Sequence, residues 1–283
     1  MSQTAERLYF VQFGAEHVSK SLSVRGAEDT LSWEPFIGLV VQTPAGWVLL
    51  DSGMSRRAFE SAEIASAYGA GNPAHASAPW PLDPAPPELA EWAWILDGDP
   101  LETALATVGL SVSDLALAAI SHLHVDHSGG IPTLAAHGVP IAIQRRELEF
   151  VRSGAVGAEQ GFFAPDWEDE RTQWIEIDGD AELAPGVRAI STPGHTPGHM
   201  SFAVTLENSG VWIFAGDTAD LAQNLLDGVP CGSTASGTPG DEDAAAASLL
   251  RLYAEARATD ARLVPGHDQI VLNAVRHPTG GHR

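Results

Sequence analysis

The chain has 283 residues, enough for one large domain or two small ones, and 44% of them are apolar, which is ordinary for a globular protein with a sizeable core. Its formal charge of -22, from 15 basic and 37 acidic residues, repels phosphate backbones and anionic lipid head groups, so neither nucleic acid nor a membrane surface is an expected partner. The one cysteine, Cys231, excludes an internal disulfide and thiolate-based structural zinc; with no basic start or apolar run at the N-terminus and no apolar stretch of about 18 residues, a cytoplasmic protein is expected.

Strand patterns open the chain. Arg7–Gly14 alternates, and the apolar runs Phe36–Thr43 and Trp47–Leu50 flank Pro44-Ala45-Gly46 as a hairpin. Residues 69–87 are rich in Pro, Ala and Gly and predict an irregular excursion, because proline resists helix and central strand alike. Its Trp80, with Trp92 and Trp94 beyond it, either covers a cleft or packs on the core. A helix is expected from Asp99, a candidate N-cap, to Val108. The short apolar run Leu115–Ile120 predicts a strand that feeds into Ser121-His122. A short helix over Ile131–His137, a strand over Pro140–Ile143 and a helical Glu147–Arg152 follow. Four more strands are expected over Thr172–Ile177, Val187–Thr192, Met200–Leu206 and Val211–Ala215, then a helix over Asp241–Ala258 and a last strand over Arg262–Val264. Strands with interspersed helices in both halves predict an α+β fold of two packed sheets with helices outside.

The chemistry is carried by Ser121-His122-Leu123-His124-Val125-Asp126-His127-Ser128-Gly129-Gly130. Imidazole and carboxylate are zinc's preferred ligands besides thiolate. In extended backbone His122 and His124 point the same way, whereas the adjacent Asp126 and His127 diverge, so the segment can serve one metal with each pair. Three further segments each place a glycine just before a potential ligand at a strand end: Gly194-His195, Gly216-Asp217 and Gly266-His267. Cys231, between Pro230 and Gly232, matches no nucleophile motif and reads as a bystander.

The order H-x-H-x-D-H, then His, Asp and His, resembles the two-metal members of the metallo-β-lactamase superfamily, over nearly the whole chain from about Asp51 to His267. The resemblance implies a single domain over 1–283, an αβ/βα four-layer sandwich of two mixed β-sheets flanked by helices. It also implies two divalent metal ions per chain, expected to be zinc, although the ligands tolerate manganese, cobalt or iron. His122, His124 and His195 would hold one ion, Asp126, His127 and His267 the other, and Asp217 would bridge them. Asp51-Ser52-Gly53 matches the family's early acidic loop, which supports the site from behind. His199 is then a supporting residue, and His17, His75, His137, His277 and His282 are expected on the surface or in loops, with His75 left open as the one whose loop could lie over the site.

Such a pair of ions activates water and polarises a carbonyl or phosphoryl oxygen, so hydrolysis is expected. A cysteine ligand at the second metal, used by some class B lactamases, is absent. Asp51-Ser52-Gly53-Met54, His122 to Gly130, Thr192 to His199 and the wide spacing from Asp217 to His267 are similar to the quorum-quenching N-acyl-homoserine lactonases, which implies a small lactone or ester substrate and allows a homodimer. One position departs: those enzymes carry a tyrosine three residues after the bridging aspartate, and here it is Asp220. Beside two cations Asp220 is expected to stay ionised and donate no proton, leaving Asp126 as the proton carrier, unless Asp220 points away and caps the next turn. A glyoxalase-II-like thioesterase, a methyl-parathion-hydrolase-like phosphotriesterase and a metal-loaded domain without turnover are the other readings.

Overall fold

In the computed structural model, which describes residues 4–71, 92–235, 239–271 and 277–283, the first sheet is built on two long strands. β1 (Arg7–Ser19) pairs antiparallel with β2 (Leu31–Thr43), which turns through Pro44-Ala45 into β3 (Gly46–Leu50). The Thr43 hydroxyl donates to the Gly46 carbonyl at 2.9 Å and closes that hairpin. β1 runs five residues past the expected end because it bulges at Gly14, where a side chain would strike the Trp94 carbonyl oxygen. Only glycine lets β4 (Ala93–Ile95), a strand without a clear sequence signal, lie against it. β5 (Leu115–Ala119), β6 (Ile141–Gln144) and β7 (Trp174–Ile177) complete the order β4-β1-β2-β3-β5-β6-β7, with parallel pairing from β3 onward.

The second sheet has the order β12-β11-β10-β9-β8, made of β8 (Ala181–Ala184), β9 (Val187–Ser191), β10 (Met200–Leu206), β11 (Gly210–Phe214) and β12 (Arg262–Val264). Leu8, Leu39, Val41 and Leu50 of the first sheet meet Phe202, Val204 and Phe214 of the second. The outer face of the first sheet, with Phe13, Phe36 and Leu49, is covered by Leu101, Leu105, Ile131 and Leu134. The outer face of the second packs Ile190 and Ile213 on Leu249 and Leu252. Each such large side chain, fully buried, contributes about 1.5–3 kcal/mol. The result is helix, sheet, sheet, helix, the expected four layers, and it explains why β2 is apolar almost throughout: both of its faces are covered.

Helix boundaries fall close to expectation. Pro100–Thr107 is capped by Asp99, whose carboxylate accepts from the backbone of Leu101 and Glu102, and the long helix spans Pro239–Thr259. The expected excursion begins as helix, because Ala62–Gly71 takes in its first residues; Trp80 and His75 lie outside the described residues. Trp92 packs on the core, its ring 5.6 Å from Phe59 and 5.0 Å from Tyr68. No helix among the described residues is long and apolar enough to cross a membrane.

Candidate metal centre

Four strands deliver their following loops to one edge of the sandwich. β5 leads to Ser121–Gly130, β9 to Thr192–His199, β11 to Gly216-Asp217 and β12 to Pro265–Asp268. Their side chains converge in two groups, His122, His124, His195 and Asp217, and Asp126, His127 and His267, all seven residues the sequence singles out.

In the first group, Nε2 of His122 and Nε2 of His195 each lie 2.9 Å from Nδ1 of His124. A ring nitrogen has one proton or one lone pair, so no placement of protons satisfies both contacts. Burial is the main cause that holds His122 and His195 below the usual imidazole range and takes His124 down to about 3. Each shift favours the neutral ring, the form that binds a cation. In the second group, Nε2 of His127 is 3.0 Å from Oδ2 of Asp126 and 3.2 Å from Oδ1 of Asp217, and is buried without a hydrogen-bond partner. His267 Nε2 is 3.1 Å from the same Asp217 oxygen. Burial works against charge on His127 and His267, but Asp126 and Asp217 outweigh it and raise both. A divalent ion bound between these groups would meet the same carboxylates in place of a proton.

Asp217 faces both groups. Its Oδ1 serves His127 and His267, and its Oδ2 lies 3.2 Å from His195 Nε2 and 3.6 Å from His122 Nε2. Converging neutral imidazoles, an orphaned His127 nitrogen and a carboxylate split between two clusters fit a pair of divalent cations.

The supporting contacts are specific. Asp51, at φ 59°, accepts from His127 Nδ1 at 3.1 Å through one oxygen and from the Ser121 amide at 2.7 Å through the other. His195 and His267 donate their Nδ1 protons to the carbonyls of Ser233 and Pro35. Such outer contacts fix the tautomer and orientation of a ligand ring. His199 supports from below, as expected: its Nε2 accepts from the Asp217 amide at 3.1 Å. Gly216, at φ 55°, leaves no room for a side chain, whose first carbon would lie 2.8 Å from that nitrogen.

Several positions differ from expectation. His17 is buried in β1 and stacks on Trp33 at 4.7 Å, where a surface residue was expected. His277 and His282 are half-buried and hydrogen-bonded to each other, with His277 stacked on Phe10; His137 is exposed as expected. Asp220 does not cap the next turn. Asn224 accepts from the Leu221 amide and Asp268 from the Ala222 amide, while Asp220 lines a cavity beside the two groups. Its expected ionisation is opposed by the protein's own groups, because burial and then Asp217 push its carboxyl well above the usual range. Burial likewise pushes up the Cys231 thiol, which donates to the Ser233 carbonyl.

Sequence reasoning missed Glu147. Fully buried, it accepts from the amides of Leu123 and Gly198 and the hydroxyl of Thr196, and so ties the first histidine loop to the third ligand segment. It also missed Glu16, Glu34 and Tyr68, which with His124, Asp126 and His267 line a cavity of about 290 Å³. No local motif marks them; strand register alone brings Glu16 opposite Glu34.

Comparison with known proteins agrees with this geometry. A family model described as the metallo-beta-lactamase superfamily matches residues 36–267. An N-acyl homoserine lactonase of Bacillus cereus is 29% identical over 232 residues, covering 80% of this chain and 81% of that one. A Bacillus thuringiensis N-acyl homoserine lactonase is 32% identical over 170 residues, covering 60% and 62%. The crystal structure of a quorum-quenching N-acyl homoserine lactone lactonase superposes with a TM-score of 0.74 at 25% identity, covering 98% of each chain. With the matched segment running from β2 to the last histidine of the site, the chain belongs to the metallo-beta-lactamase superfamily.

Proposed function

We propose that the chain is a metal-dependent hydrolase that opens the ester ring of N-acyl homoserine lactones or related γ-lactones, as a single domain over its 283 residues. The observation that carries this reading is the double donor cluster sharing Asp217, at the floor of an accessible cavity, in a chain similar to lactonases. His122, His124 and His195 would hold one divalent ion, Asp126, His127 and His267 the other, with Asp217 between them and zinc the first expectation from the nitrogen and oxygen donors. When bound, such a pair supplies Lewis acidity toward the ester carbonyl and lowers the pKa of water.

The residues do the rest. Asp51, held by the Ser121 amide, locks His127, Glu147 ties two ligand loops together, and His199 fixes the Asp217 backbone. Asp126 lines the cavity with its carboxylate against His127 and His267, and it is the group we assign to carry the water's proton to the leaving alkoxide. The cavity holds no lysine or arginine among the described lining residues, so nothing cationic from those side chains would take the carboxylates of a glutathione thioester. The one cysteine, free and buried, supports a cytoplasmic place of work.

A panel of γ-lactones, thioesters, phosphotriesters and a cephalosporin on one metal-analysed preparation tests the reading. The expected result is a lactone preferred by at least about tenfold in kcat/KM, or about 1.4 kcal/mol of transition-state discrimination. A thioester preferred over every lactone would overturn it.

A further inference from the structure

The cavity wall beside the metal centre carries more carboxyl groups than metal binding uses. Glu16 and Glu34 are direct cross-strand partners on β1 and β2. Side chains so paired share a face roughly 5 Å apart, and like charges there are destabilising. Glu34 is only 1% exposed, and its oxygens accept from the hydroxyls of Ser23 and Ser32 at 2.7–2.9 Å. Both hydroxyls are turned toward it, as a carboxylate requires of its surroundings. Asp220 reaches the same cavity from the loop after β11; it is 5% exposed, and its Oδ1 is buried without a hydrogen-bond partner. Oε2 of Glu16 is likewise buried and unpartnered. Elsewhere buried carboxylates of this protein are fully engaged, as Glu147 and Asp166 are. Burying a carboxyl oxygen without a partner is costly, so Glu16 and Asp220, beside the hydrogen-bonded Glu34, leave a deficit in one wall that a ligand can fill.

The three carboxyls do not draw close enough to one another to join the groups of donor atoms that fit a metal ion. They face a space sized for an organic group, and the wall continues with the apolar Val18 and Leu22. A compact ammonium with three donors on an alkyl stem matches both parts of that wall. We propose that Glu16, Glu34 and Asp220 form a subsite for an alkylammonium group, so that the preferred substrate carries a protonated amine on the part of the molecule away from the ester that is opened.

The subsite stands on its own geometry; only its extension to substrate rests on the lactonase reading. Titration calorimetry of the metal-loaded protein with n-hexylammonium and with its neutral analogue n-hexanol separates charge from chain. The ammonium is expected to bind at least about tenfold tighter. Glu34→Gln and Asp220→Asn should each cut that advantage to about threefold or less, and Glu16→Gln, at a half-buried residue, serves where either variant fails to fold. In turnover, N-(ω-aminohexanoyl)-homoserine lactone should exceed N-heptanoyl-homoserine lactone by at least about tenfold in kcat/KM. If neither lactone is opened, the lactonase reading fails while calorimetry still decides the subsite. Equal affinity for alcohol and ammonium, an ammonium advantage untouched in every variant, or a third equivalent of divalent metal lost in Asp220→Asn would overturn the proposal.

Discussion

At Asp217 a single carboxylate answers to four imidazoles, and that makes it the most consequential residue of the site. Without it the two groups of donors lose their shared anion, and two cations so close together repel with nothing between them. Asp217→Ala should therefore lose both metal equivalents together with activity. His199→Ala removes the acceptor for the Asp217 amide and the ring's contact with Thr192, and should keep both equivalents at saturating metal with affinity lowered about 10–100-fold, the usual cost of an outer contact. Metal analysis of the two variants checks this, and equal loss in both would mean that His199 is itself a ligand. The seven candidate ligands were legible because metal binding demands particular side chains at close spacing, and H-x-H-x-D-H satisfies that within one loop. Asp220 was legible as a departure but not in its placement: its direction depends on how the backbone leaves β11 and on the Asp268 contact that caps the next turn in its stead.

Among the elements, Glu147 shows how a helix start far along the chain stabilises the ligand loops. It is the first buried residue of Arg145–Arg152, and its carboxylate satisfies three donors from two other loops. Removing it strands the Leu123 and Gly198 amides and the Thr196 hydroxyl, each worth about 1–3 kcal/mol when left unsatisfied, so Glu147→Ala should destabilise by about 3 kcal/mol or more. Burial raises its carboxyl to about 7, with the three hydrogen bonds pulling the other way. A value raised in the folded state means that folding favours the protonated form. Its contribution to stability is thus complete below the unfolded value of about 4.5 and is lost as pH rises through about 7. Urea unfolding at pH 5 and pH 8 should show wild type losing stability relative to Glu147→Gln over that interval, and a gap that narrows in the opposite direction would contradict the assignment. Periodicity could not reveal this role, because the three donors lie on loops brought together only by the sheets. The same limit explains β4 and the far half of β1, whose pairing depends on the space left by Gly14. The hairpin β2–β3 and the long C-terminal helix were legible because their patterns are local.

The molecule as a whole arranges its charge around the centre. The chain is acidic throughout, at -22, and Asp51, Asp126, Asp217, Glu34 and Asp220 are all buried at or beside one cavity. Carboxyl groups buried at that density repel one another when ionised and cations among them relieve that repulsion, so metal should be part of the folded state's stability and not only of its catalysis. Stripping with a chelator should lower Tm, and adding back divalent metal should restore it, by mass action on the folded form alone. The measurement that tests the account most directly is the metal content of protein purified without chelator and dialysed against metal-free buffer. The account predicts close to two equivalents of divalent metal per chain. A reproducible value of one or fewer that does not rise on adding metal would contradict it.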